Sequence, residues 1–65
     1  MTPKQRAAMV FLGSLRAPST VGALAEALET SPEGAAATAG SLVRMGLVER
    51  RRVAGRVAYL VRAAS

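Results

Sequence analysis

Apolar residues recur early in the chain at helical spacing. Ala8, Phe11, Leu12 and Leu15 fall at i, i+3, i+4 and i+7, the stripe of an amphipathic helix. Its start is marked by Thr2 as N-cap, Pro3 at the first helical position and Gln5 to complete a capping box. Pro18 biases Ala17 towards an extended backbone, so this helix is expected to end by Arg16, with a short extended stretch over 17–19. The spacing returns at Val21, Leu24, Ala25 and Leu28. This predicts a second, short helix to Leu28 or Glu29, capped by Thr20, with Ser19 as the rival cap. Thr30-Ser31-Pro32-Glu33 then repeats the cap-and-proline signal and puts an acid where the helix dipole favours it. The third helix turns Ala35, Ala39, Leu42 and Met45 inward and stops at Gly46, with Leu47 placed for the apolar contact that accompanies a glycine C-cap.

Beyond Leu47 the period changes from 3.6 to two. Val48 to Val53 and Arg56 to Arg62 read as strands rich in Val and Arg, joined at Ala54-Gly55. Alanine at the first turn position disfavours a type I′ turn, so the expectation is a type I turn with Gly55 left-handed in a bulge. Val57, Tyr59, Val61 and Ala63 are expected on the core face, with Arg56, Ala58, Leu60 and Arg62 on the other. The whole is read as one domain over residues 1–65, mainly α with a small β-hairpin: helix, short strand, helix, helix, two-stranded wing. It has no linker, repeat or low-complexity tract.

Composition removes several function classes. Cys and His are both absent and Asp does not occur, which leaves no disulfide, zinc site, thiolate or imidazole chemistry. The acids Glu26, Glu29, Glu33 and Glu49 form no metal cluster, no phosphate-loop lysine follows any glycine, and no hydroxyl has a base partner. An enzyme is therefore not expected, and neither is a cofactor or a metal. The chain lacks an apolar run of the ~20 residues a membrane span needs, and Met1 to Leu12 is short and without a cleavage site, so no membrane role is expected and the cytoplasm is the expected location.

Charge is what points to a partner. The formal charge is +5, carried by eight Arg and one Lys against four acids. Residues 44–62 alone hold Arg44, Arg50, Arg51, Arg52, Arg56 and Arg62 with Glu49 as the single acid, whereas the segment 26–33 holds the other three acids and no base. Guanidinium forks suit phosphate, so the arginine-rich end implies an anionic partner. In an extended strand Arg50 and Arg52 share one face, while Glu49 and Arg51 share the other. Lys4 and Arg6 are read as solubilising.

Two helices joined by Glu29-Thr30-Ser31-Pro32, the second longer, make a helix-turn-helix, and a basic hairpin follows at once. Here the sequence resembles the winged helix-turn-helix proteins, most closely the DNA-binding core of the MarR-type bacterial regulators. The likeness rests on Met1-Thr2-Pro3-Lys4-Gln5, on Val21-Gly22-Ala23-Leu24-Ala25-Glu26-Ala27-Leu28, on Ser31-Pro32, and on Met45-Gly46-Leu47-Val48-Glu49-Arg50. It implies a recognition helix from Pro32 to Met45 in the major groove of double-stranded DNA and a wing over the backbone, with Arg52 or Arg56 near the adjacent minor groove. MarR-type proteins also carry terminal helices that build a dimer, and these 65 residues hold none. Small basic chains of this fold resemble phage excisionases as well, which bend DNA and bind side by side.

The candidate DNA-binding residues are Ser31, Glu33, Gly34, Ala36, Ala37, Ser41 and Arg44 on the third helix, and Arg50, Arg52 and Arg56 on the wing. The helix is poor in readers. Base edges are usually read by Arg, Lys, Asn or Gln, and only Arg44 and Ser41 qualify, with Arg44 in the last turn. The expected function is that of a transcriptional regulator or architectural factor. The alternative is a protein-interaction module that docks the small-residue face of Gly34, Ala36, Ala37, Gly40 and Ser41 on a protein partner. Self-association on DNA is expected too, with Val10, Val43 and Leu60 as exposed apolar residues.

Overall fold

The computed structural model describes residues 1–62. Helix α1 (Pro3–Gly13) begins at a closed capping box, in which the Gln5 N–H donates to Thr2 Oγ1 at 3.1 Å and the Thr2 N–H donates to Gln5 Oε1 at 3.0 Å. It ends earlier than its apolar stripe suggests. Ser14 Oγ donates to the Phe11 carbonyl at 2.7 Å, a local bond that competes with continued helix, and Leu15 lies past the end, 39% exposed rather than in the core.

Strand β1 (Ser19–Thr20) follows Pro18, beginning two residues later and ending one residue later than the extended stretch expected over 17–19. Thr20, not Ser19, caps helix α2 (Val21–Leu28), accepting the Ala23 N–H at 3.2 Å. Ser19 is buried, and its hydroxyl donates to the Thr20 carbonyl. Glu29 closes α2 in the left-handed region at φ 53, and the Thr30 N–H returns to the Ala25 carbonyl at 3.0 Å, the six-to-one bond of a Schellman end.

Ser31 then caps helix α3 (Pro32–Arg44) by accepting the Gly34 N–H at 3.1 Å. The helix closes on Gly46 at φ 79, where the Leu47 N–H returns to the Leu42 carbonyl at 3.1 Å. Met45, expected inward, is the C-cap and is 48% exposed, because the chain leaves the helical stripe there.

Strands β2 (Val48–Val53) and β3 (Arg56–Val61) form the wing. β3 is central in a three-stranded antiparallel sheet of order β1-β3-β2, with Ser19 opposite Tyr59 and Val48 opposite Val61. The hairpin pairs Val53 directly with Arg56, and both turn residues have positive φ, Ala54 at 52 and Gly55 at 78. This is the two-residue I′ form, not the bulged type I turn. The I′ twist matches that of the strands, and here sheet pairing overrides the reluctance of alanine. β3 ends at Val61, so Arg62 is exposed outside the strand, and Ala63 lies outside the described residues.

The core joins Ala8 and Leu12 of α1, Leu24 and Ala25 of α2, Ala35, Ala39 and Leu42 of α3, and Val48 and Tyr59 from the root of the wing. Its alanines let the three helices approach closely around Leu24 and Leu42, the largest fully buried side chains. Ala58 is buried as well, although it lies on the outer sheet face, since β3 is flanked there by Thr20 and Arg51. Of the three apolar residues expected on the surface, Val10 is 70% exposed, whereas Val43 packs against the core and Leu60 is half-buried. No described helix is long and apolar enough to cross a membrane.

Candidate nucleic-acid interface

The helix-turn-helix brings one long face of α3 to the surface. Glu33, Ala37 and Arg44 are exposed, and Ala36, Gly40 and Ser41 are half-buried. Ser31, at the head of the helix, is exposed but spends its hydroxyl oxygen on the cap. Gly34 is not an open part of this face. A Cβ at this position would sit 2.6 Å from Thr30 Oγ1, so the glycine makes room for the turn before the helix rather than for a partner.

Arg44 departs most from its sequence position. Helical side chains lean towards the N-terminus, and Arg44 follows this, Nη2 donating to Ser41 Oγ at 3.2 Å. Nη1 lies 3.9 Å from where a Cβ on Gly40 would be. The guanidinium therefore covers the middle of the face, one turn back from its own Cα. Ser41 Oγ in turn donates to the Ala37 carbonyl at 3.2 Å.

The start of α1 borders the same face. Thr2, Pro3, Lys4 and Gln5 meet Ala37, Thr38 and Ser41 across a shallow groove. Lys4 Nζ donates to Thr30 Oγ1 at 3.4 Å, which puts a cation beside the turn that leads into α3. Sequence reading set Lys4 aside as solubilising. No local signal marks it, because Thr30 is 26 residues away along the chain.

On the wing, register sorts the arginines. Arg50 stands opposite Tyr59 and Arg52 opposite Val57, on the face that packs Val48 and Tyr59 against the helices nearer the root. Arg51 stands opposite Ala58, and Arg56 opposite Val53, on the outer face. The expected trio of Arg50, Arg52 and Arg56 is thus split, and Arg51, which sequence reading left out, shares a face with Arg56. Arg51 Nη2 pairs with Glu49 Oε2 at 3.5 Å, but both side chains are well exposed, so the pair holds Arg51 only weakly. Among the described residues no group of acids could hold a metal ion.

No protein-family model matches the sequence, and neither does any curated protein. Two solved structures are similar in fold. The ST1889 protein from the thermoacidophilic archaeon Sulfolobus tokodaii superposes with a TM-score of 0.87 at 21% identity, over 97% of this chain and 63% of its own. A MarR family transcription regulator superposes with a TM-score of 0.80 at 29% identity, over 95% of this chain and 42% of its own. The chain thus spans less than two thirds of either protein. Its three helices, short strand and antiparallel wing follow one another as they do in that regulator, and the chain has the winged helix-turn-helix fold of a MarR-like domain.

Proposed function

We propose that this chain binds double-stranded DNA, as a transcriptional regulator or architectural factor, with α3 in the major groove and the wing on the backbone or in the adjacent minor groove. The observation that carries the reading is the ribbon of four arginines, Arg50, Arg51, Arg52 and Arg56, standing next to a helix-turn-helix whose second helix is open on one face. The likeness to the transcription regulator supports the DNA-binding class.

A second reading is favoured by one feature. Ala36, Ala37 and Gly40 carry no donor, and such a surface also suits close packing on a protein. A salt titration of duplex binding separates the two. If Arg50, Arg51, Arg52 and Arg56 meet phosphates, the log–log slope is expected at about −3 to −5. A slope near zero, or no duplex binding at about 50 mM salt, would remove DNA as the partner and leave the protein-docking reading.

A further inference from the structure

α3 presents a single side chain able to make paired hydrogen bonds to a base edge, and the fold aims it. The Arg44 guanidinium is drawn back along the helix by its bond to Ser41 Oγ, and Ser41 is itself anchored on the Ala37 carbonyl. Around it the surface is low, with Gly40 beneath and Ala37 a turn further on, so nothing longer holds a partner off. Ser41 takes one of the five donors of the fork. Among the described residues the only ion pair is Arg51–Glu49, so no carboxylate competes for the rest.

Resting on the DNA-binding reading above, we propose that Arg44 is the specificity-determining residue of this domain and that it selects guanine. In the major groove guanine offers two adjacent acceptors, N7 and O6, which match two parallel N–H donors of a guanidinium. Adenine pairs one acceptor with a donor and thymine presents one acceptor beside a methyl group, so each leaves the fork half satisfied, while cytosine presents only a donor and leaves it wholly unsatisfied. The Ser41 bond, exposed and so only modest in strength, favours one orientation of the fork before contact, which lowers part of the ordering cost of the complex. A domain with one reader fixes one base and leaves its neighbours free.

Selection from a library of randomised duplexes tests this. The chain is expected to enrich one guanine, preferred about 5- to 150-fold over the other bases. Arg44→Ala removes every donor, so the guanine preference should collapse while random duplex is still retained through the wing. Replacing the selected guanine by 7-deazaguanine removes N7. It should cost the unaltered chain most of its preference and leave Arg44→Ala unmoved. Ser41→Ala, which frees the guanidinium, should reduce the preference without abolishing it. Duplex binding with no base preference, or a guanine preference that survives Arg44→Ala, overturns the inference and leaves the DNA-binding reading intact. Failure of the unaltered chain to retain any duplex overturns that reading, and the inference falls with it.

Discussion

Ala54 holds a left-handed backbone, φ 52, with a Cβ that resists it. That conformation costs a non-glycine residue about 1–2 kcal/mol, and asparagine tolerates it best among residues with a side chain. Ala54→Asn, which produces the Asn-Gly pair favoured in I′ turns, is therefore expected to stabilise the domain by about 1 kcal/mol, raising the melting temperature by about 4–8 °C in thermal unfolding. The two glycines of α3 should respond in opposite directions to alanine. At Gly40 the new Cβ meets only Arg44 Nη1 at 3.9 Å, so Gly40→Ala is expected to gain about 0.5–1 kcal/mol. At Gly34 it would press on Thr30 Oγ1 from 2.6 Å, and Gly34→Ala should cost about 1 kcal/mol. Placing Gly34→Ala in a Thr30→Ala background removes the clash and should turn the loss into a gain, read in the same melting experiment. The caps Thr2, Thr20 and Ser31 were legible in the sequence because each bonds within three residues of itself. The reason for Gly34 was not, since the tight contact appears only once the α2–α3 turn has folded Thr30 back over the helix.

At the scale of elements, the three helices and two wing strands stand where periodicity places them, within a residue or two at most ends. Periodicity reports which side of an element is apolar, and that was enough for the helical core. It does not report how two strands slide past one another. The turn decides that, and the positive φ of Ala54 put the turn out of reach of composition. The observed register gives the wing an arginine pair on each face, Arg50 with Arg52 and Arg51 with Arg56. A ribbon lying with one face on the backbone would use one pair, whereas a ribbon entering a groove edge-on would use both. If the helix-side face alone meets phosphate, replacing Arg50 and Arg52 by alanine should flatten the salt-dependence slope by about 2, and the same change at Arg51 and Arg56 should leave it nearly unchanged. Equal losses from the two double variants would assign the wing to a groove with both walls contacted. Both pairs are exposed, so melting temperatures should stay level and any change belongs to binding.

On the DNA-binding reading proposed above, the domain is short of specificity. One recognition helix with one reading fork would supply about 1–3 kcal/mol of discrimination, against the ~4–10 kcal/mol that separates specific from non-specific sites for regulators that find a unique target. A wing lying on the backbone would not make up the difference, because phosphate contacts fix position without reading sequence, and a wing arginine in the minor groove would add only a preference for narrow, A·T-rich flanks. The same shortfall applies to the second reading in another form, since a docking face of Ala36, Ala37 and Gly40 offers little area for an anchor. More than one copy on one duplex multiplies the contacts without new side chains, as linked binding events reinforce each other. The large apolar residues exposed on the folded surface are Val10 at 70%, together with Met1, Leu15, Met45, Leu47 and Val53. They are spread over α1 and its flanks, the end of α3 and the tip of β2, a scatter that supplies only a weak contact between free copies. Val43 packs against the core and Leu60 is half covered. The expectation is therefore a chain that sediments as a monomer or weak dimer alone and gathers on DNA. With duplexes of increasing length, the number of copies at saturation should rise in steps of roughly one per helical turn or two, about 10 to 20 base pairs. Val10→Ser should leave the first step unchanged and weaken the later ones if α1 carries the contact between neighbours. Strict one-to-one binding on a duplex of about 30 base pairs, at saturating protein, would exclude loading in multiples, and the remaining specificity would then have to come from chain or partner beyond this domain.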